Sequence, residues 1–144
     1  SSPGPWLGRI IGAVDPSYGN GEFIYLKGVP DTVLGSAVTY NADDFTTTLL
    51  APNAIGPVAI AMSACDAVTK GGWYQISGKG VVKAGTVADN GNVYATATPG
   101  VVDDAVVAGD RVKNAKFASA DGTPSAGLAE IEISRPFMDD AVAA

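Results

Sequence analysis

Short runs of alternating apolar and polar residues, each closed by Gly, Pro, Asn or Asp, recur along the chain, a rhythm that predicts strands. Gly21-Glu22-Phe23-Ile24-Tyr25-Leu26-Lys27-Gly28-Val29, set between Asn20-Gly21 and Pro30-Asp31, is the strongest of them. Its pleat puts Phe23 and Tyr25 on one face and Ile24 and Leu26 on the other, so a strand covered on both sides is expected. Gly35 to Tyr40 predicts a second strand, ended by Asn41-Ala42-Asp43-Asp44, and the β-branched run Phe45 to Leu50 a third. Ile55 to Met62 alternates large and small residues, which turns Val58, Ile60 and Met62 inward and the alanines to the other face. Lys70-Gly71-Gly72 marks a turn before Trp73 to Gly78. The segments Val81 to Val87 and Asn92 to Thr98 flank Asp89-Asn90-Gly91, whose Asn-Gly step is the best short hairpin signal in the chain. In Val101 to Ala118 a helix would align Ala105, Ala108, Val112 and Ala115, but Gly109-Asp110 interrupts it, favouring strand and turn. Leu128 to Ser134 alternates charged and apolar residues and predicts a half-exposed strand before Arg135-Pro136-Phe137.

Residues 1–20 read differently. They are rich in Pro, Gly and Ser, and Pro3, Pro5 and Pro16 oppose a helix, so an extended N-terminal arm is expected, carrying Trp6, Leu7, Ile10 and Ile11. The reading is all-β: one compact β-sandwich or β-barrel-like domain of short antiparallel strands over 21–137, with the arm before it and a flexible tail over 138–144. A loose internal likeness relates Gly21 to Gly28 with Ile55 to Ile60 on one hand, and Gly72 to Gly78 with Ala126 to Ile131 on the other.

Composition narrows the chemistry. The chain has 144 residues, one domain by length, and a net charge of −6, which repels phosphate backbones and anionic membranes. Neither nucleic acid nor a membrane is an expected partner, and no run of about 18 apolar residues occurs. The first residues have neither the basic nor the apolar region of a signal peptide. There is no His, and Cys65 is the single cysteine, read as a small buried residue because no base accompanies it. Glu130 and Glu132 share a strand face at about 7 Å, near the spacing of glycosidase carboxylates, but charges alternating with Ala129, Ile131 and Ile133 are also what a wet strand face looks like. The doublets Asp43-Asp44, Asp103-Asp104 and Asp139-Asp140 fit solvated turns better than a calcium loop. Gly78-Lys79-Gly80 lacks P-loop spacing. No catalytic residue, cofactor or metal site is assigned. Trp6 has no obvious core to fill; it either docks on a partner or folds back to plug its own domain's edge.

One larger pattern stands out: Gly72-Trp73-Tyr74-Gln75-Ile76-Ser77-Gly78, then Val81-Val82-Lys83-Ala84-Gly85, a turn-rich stretch, and Gly127-Leu128-Ala129-Glu130-Ile131-Glu132-Ile133. Over residues 55–137 it resembles the small head-decoration, or capsid cement, proteins of tailed bacteriophages, although the chain is longer in the middle than lambda-type members. The resemblance implies a non-enzymatic virion protein, made in the bacterial host cytoplasm, that sits on the outer capsid surface. It would form a homotrimer and clamp adjacent subunits of the major capsid protein. On that reading Pro5, Trp6, Leu7, Arg9, Ile10 and Ile11 would anchor the arm on the capsid, and Val81, Val82 and Phe137 would line a subunit interface. The rival expectation is a glycan-binding β-module on a virion or cell surface, using Trp73, Tyr74 or Tyr94 with calcium held by the acidic doublets.

Overall fold

The computed structural model describes residues 6–141. Among them are ten strands and no helix: β1 (Ile10–Asp15), β2 (Gly19–Lys27), β3 (Ala37–Tyr40), β4 (Thr47–Leu49), β5 (Ile55–Ala61), β6 (Gly71–Lys83), β7 (Asn92–Ala95), β8 (Val102–Asp103), β9 (Arg111–Phe117) and β10 (Leu128–Asp139). Accordingly no helix among the described residues is long and apolar enough to cross a membrane. The strands pair antiparallel in one sheet of order β1-β2-β6-β5-β10-β9-β7-β8, with β3 added to β5 and β4 to β3. Because β5, β6 and β10 each pair with the other two, the sheet closes on itself like a barrel.

The closure depends on a bend in β6. Its first half pairs with β2 and β5, its second half with β10. At the junction Gly78 has φ +101°, and a Cβ there would stand 2.5 Å from the Asn20 carbonyl oxygen, so only glycine fits. Gln75, 3% exposed, folds against Gly80 and donates its Nε2 to the carbonyls of Ser77 (3.1 Å) and Lys79 (3.0 Å). Those two bonds satisfy backbone acceptors that the bend takes out of the regular ladder.

Two cores result, separated by the β3–β5 layer. Val58 and Ile60 of β5 face the first, with Val82, Val93, Phe117, Ile131 and Met138; Ala59 and Ala61 face the second, with Ile24, Leu26, Tyr74 and Ile76. β5 is therefore apolar on both faces because each faces a core, and Met62 lies just past its end, half-buried. Phe23, Ile24, Tyr25 and Leu26 are all buried, as the two-sided pattern of β2 requires. Large side chains such as Leu26, Leu50 and Phe117 are wholly enclosed, each contributing about 1.5–3 kcal/mol. Of the segments that look alike in sequence, Gly21 to Gly28 and Gly72 to Gly78 pair with each other, as β2 with β6, whereas Ile55 to Ile60 and Ala126 to Ile131 do not.

Several expectations need correction. The N-terminal segment over 6–20 is not an extended arm: Ile10 to Asp15 pair residue by residue with Ile24 to Gly19 of β2 as a hairpin. Asp15 makes the turn, its Oδ1 accepting from the backbone N–H of Ser17 (2.7 Å) and Tyr18 (3.1 Å), and Gly19 supplies φ +83°. Nor does the tail begin at Met138, which is 1% exposed in the first core and pairs with Gly56; 142–144 lie outside the described residues. Strand β10 runs on through Pro136 because an irregularity between Ile133 and Phe137, with Arg135 at φ +49°, lets the proline sit where no ladder donor is needed. Asn90-Gly91 makes a turn, Gly91 N–H donating to Ala88 O, but not a hairpin. The end of β6 is already engaged on both sides, by β10 and by Gly35 O accepting from Lys83 N–H, so β7 pairs with β8 and β9 instead.

Candidate interaction surface

Most of the sheet's apolar residues point into one core or the other, which makes the exceptions informative. Trp6 (48%), Ile10 (44%), Ile11 (38%) and Val14 (72%) are exposed together on or beside β1; Ile55 of β5 and Phe137 of β10 are exposed singly, and the other exposed large apolar residues lie in loops. The strand's burial pattern shows no enclosed residue.

Both ends of this exposed segment are fixed. At one end Trp6 stands edge-on to Trp73, ring centroids 6.4 Å apart, and Trp73 stands edge-on to Tyr25 at 5.1 Å; the Arg9 guanidinium lies 4.8 Å over the Trp6 ring. Gly8 N–H donates to Tyr25 O and Tyr25 N–H to Arg9 O. At the other end Tyr18 sits beside Glu130 and under the Lys79 ammonium, which is 5.6 Å from its ring and 3.3 Å from the Glu130 carboxylate. Burial, then the Glu130 carboxylate, raises the Tyr18 phenol above its ordinary pKa, so it stays a neutral hydrogen-bond donor.

The free edge of β1 follows from the ladder. Tyr25 N–H bonding Arg9 O sets the alternation, so the odd residues of β1 bond β2, and the N–H and C=O groups of Ile10, Gly12 and Val14 point away from it. Among the described residues no strand pairs with that edge. Other edges of the sheet are short, β4 having three residues and β8 two, a form that discourages pairing. β1 has six, and Ile10-Ile11-Gly12-Ala13-Val14 contains neither a charge nor a proline.

Thus Trp6, Leu7, Arg9, Ile10 and Ile11 are brought together, as one hairpin edge with its aromatic buttress; Pro5 lies outside the described residues. Of the two alternatives for Trp6, the structure shows it folded onto its own domain with half its surface left open. The proposed subunit-interface residues do not form one patch. Val82 is fully buried in the first core, which removes it. Val81 sits half-buried opposite Glu130, and Phe137 lies seven positions further along β10, beyond the irregularity between Ile133 and Phe137.

Of the three aromatics named for a glycan, Tyr74 (0% exposed) and Tyr94 (7%) are closed off, and the half-buried Trp73 stands between Trp6 and Tyr25. The acidic doublets serve turns. Asp44 Oδ1 accepts from the Thr46 N–H and hydroxyl, Asp103 from Ala105 N–H, Asp104 from Ala88 N–H, and Asp139 from Ala141 N–H and Lys113. Glu130 is paired with Lys79, whereas Glu132 faces solvent. Cys65 is 3% exposed, and burial holds its thiol above the ordinary pKa, the opposite of an activated nucleophile.

Sequence reasoning missed a second surface. Tyr40, Ile55, Pro57, Arg135 and Phe137 line a shallow groove of about 460 Å³, where Arg135 donates to Glu22 (3.2 Å) and the Lys113 ammonium lies 5.9 Å over Phe137. Its residues come from β3, β5 and β10, far apart in sequence, and no local pattern joins them. No protein-family model matches the chain, and no curated protein sequence matches it.

Proposed function

We propose that the protein is a structural virion protein that decorates a bacteriophage capsid, binding across adjacent major capsid protein subunits as a homotrimer. The observation that carries this reading is the uncapped, uncharged edge of β1 beside the half-open Trp6: a preformed strand edge suited to adding to another sheet, with an aromatic anchor at its start. The compositional rhythm shared with head-decoration proteins supplies the identity of the partner. On a lattice, three such edges per trimer engage together, so a modest contact becomes a durable one.

The anchor is now a hairpin, and cutting away residues 1–11 would strip β2 of part of its partner strand as well as any capsid contact. Substitutions are therefore the cleaner test. The protein, alone and with Trp6→Ala/Ile11→Asp, is mixed with empty expanded phage capsids and sedimented, and its solution mass is read by light scattering. Saturable co-sedimentation of a species of three chains, lost in the variant while its circular dichroism is unchanged, is the expected result. A monomer that never sediments with capsids overturns the reading.

A further inference from the structure

The edge of β1 has a self-complementary sequence. Laid antiparallel against its own copy about a two-fold axis through Gly12, the strand places Ile10 opposite Val14, Ile11 opposite Ala13, and Arg9 opposite Asp15, each pair occurring twice. The register also satisfies the backbone. Ile10, Gly12 and Val14 are the residues whose N–H and C=O groups face outward, and this register pairs outward residues only with outward residues. Shifted by one position, outward groups would meet inward ones and the ladder could not form.

Side chains agree with the backbone. Ile10 and Val14 lie on one face, where each would cover part of the other's exposed surface; at the axis glycine meets glycine, so no side chains meet there. On the other face Arg9 is exposed and Asp15 engages one carboxylate oxygen, Oδ1, in its turn, so this register would frame the apolar centre with two Arg9–Asp15 pairs. The strand is fixed at both ends by Trp6 on Trp73 and by Tyr18 beside Glu130, so little ordering is needed on pairing.

We infer that in the free protein the open edge of β1 is closed by β1 of a second copy, antiparallel about Gly12, joining two sheets into one through about six backbone hydrogen bonds. This contact needs no capsid and does not rest on the proposed function. It does use the same edge, so a second copy and a shell exclude each other there, and the paired form is the one found off the shell. A strand pair of this length buries less than the roughly 1,200 Å² of a standard stable interface, so the association is reversible and concentration-dependent.

Sedimentation equilibrium over a wide concentration range tests it on the full chain. The wild type shows an association step that doubles the mass. Gly12→Pro removes only an outward donor, since the Gly12 N–H does not bond β2, and is expected to weaken the step about thirtyfold while the hairpin persists. Arg9→Asp and Asp15→Arg each place like charges opposite one another and are each expected to lose the step. An equimolar mixture of the two restores it, because both cross-strand pairs become opposite in sign. If turn loss unfolds the Asp15→Arg hairpin, amide spectra report it, and Gly12→Pro decides alone. No doubling in the wild type, an unchanged step in Gly12→Pro, or no rescue by a mixture of folded variants overturns the pairing. The doubling is read with no capsid present and the functional proposal by capsid co-sedimentation of the wild type, so the failure of one is distinguishable from the failure of the other.

Discussion

Tyr74 offers a direct test of how the second core is built. Its ring is wholly buried, and its hydroxyl faces Cys65, Thr32 and Thr47. Thr32 donates to Val29 O and Thr47 to Lys27 O, each at 2.8 Å, and neither hydroxyl oxygen stands in hydrogen-bonding geometry to the Tyr74 hydroxyl, which has no hydrogen-bond partner. An unmet buried hydroxyl costs about 1–3 kcal/mol, whereas removing it while keeping the ring loses almost no packing. Tyr74→Phe is therefore expected to stabilise the protein by about 1 kcal/mol, raising the melting midpoint by about 3 °C, with an unchanged dependence on urea concentration.

The same substitution has a pH signature. Burial, reinforced by the adjacent Cys65, pushes the Tyr74 phenol well above its ordinary 10.0, and burial likewise raises the Cys65 thiol above 9.0. Both groups hold their protons more tightly folded than unfolded. Their contribution is intact below the unfolded values and is lost as pH rises through about 9 to 10 and beyond. Urea midpoints measured from pH 7 to 11 should fall along an alkaline limb that is shallower in Tyr74→Phe. A loss of about 1 kcal/mol or more at pH 7 would refute the reasoning, because it would mean that the hydroxyl has a good partner after all.

Two further substitutions probe the frame. Phe117→Ala empties a fully enclosed position in the first core and is expected to cost about 3–5 kcal/mol by urea denaturation. Gly78→Val forces a side chain at φ +101° against the Asn20 carbonyl and is expected to cost about 2–4 kcal/mol, whereas Gly122→Ala, at φ +94° with nothing within 4 Å, should cost only about 1 kcal/mol.

What the sequence made legible was whatever its local period encodes. β2 could be read as a strand covered on both faces because large apolar residues occupy both phases of its pleat, and Leu128 to Ser134 as half-exposed because Glu130 and Glu132 occupy one phase; β5 was legible as a strand with Val58 and Ile60 inward, but not as one whose alanine face meets a second core. The continuity of β6 was not legible: Gly78 and Gly80 read as a break between two strands, yet Gln75 spans the bend and holds one strand together. The hairpin was hidden for a related reason. Asp15-Pro16-Ser17-Tyr18-Gly19 is a good turn, but a strand with no buried residue carries no alternation to announce it, so Ile10 to Val14 read as an arm. Tyr74 at the start of its strand read as core more readily than as a ligand platform, and it is fully buried; what the sequence did not show is the second core that closes over it.

β1 itself contributes little to its own domain's stability. Ordering its six residues costs about 1–2 kcal/mol each in backbone entropy, while it gains one ladder of hydrogen bonds and buries no side chain fully. Its order comes from its ends: from Trp6 against Trp73, from the Asp15 turn, and from Tyr18 lodged between Glu130 and Lys79. Those anchors hold the middle of the strand extended without covering it, so the ordering cost is met before a partner arrives and the unused hydrogen-bonding groups are already in register. A strand held in this way serves association more than folding, and that is the common root of both proposals about its edge.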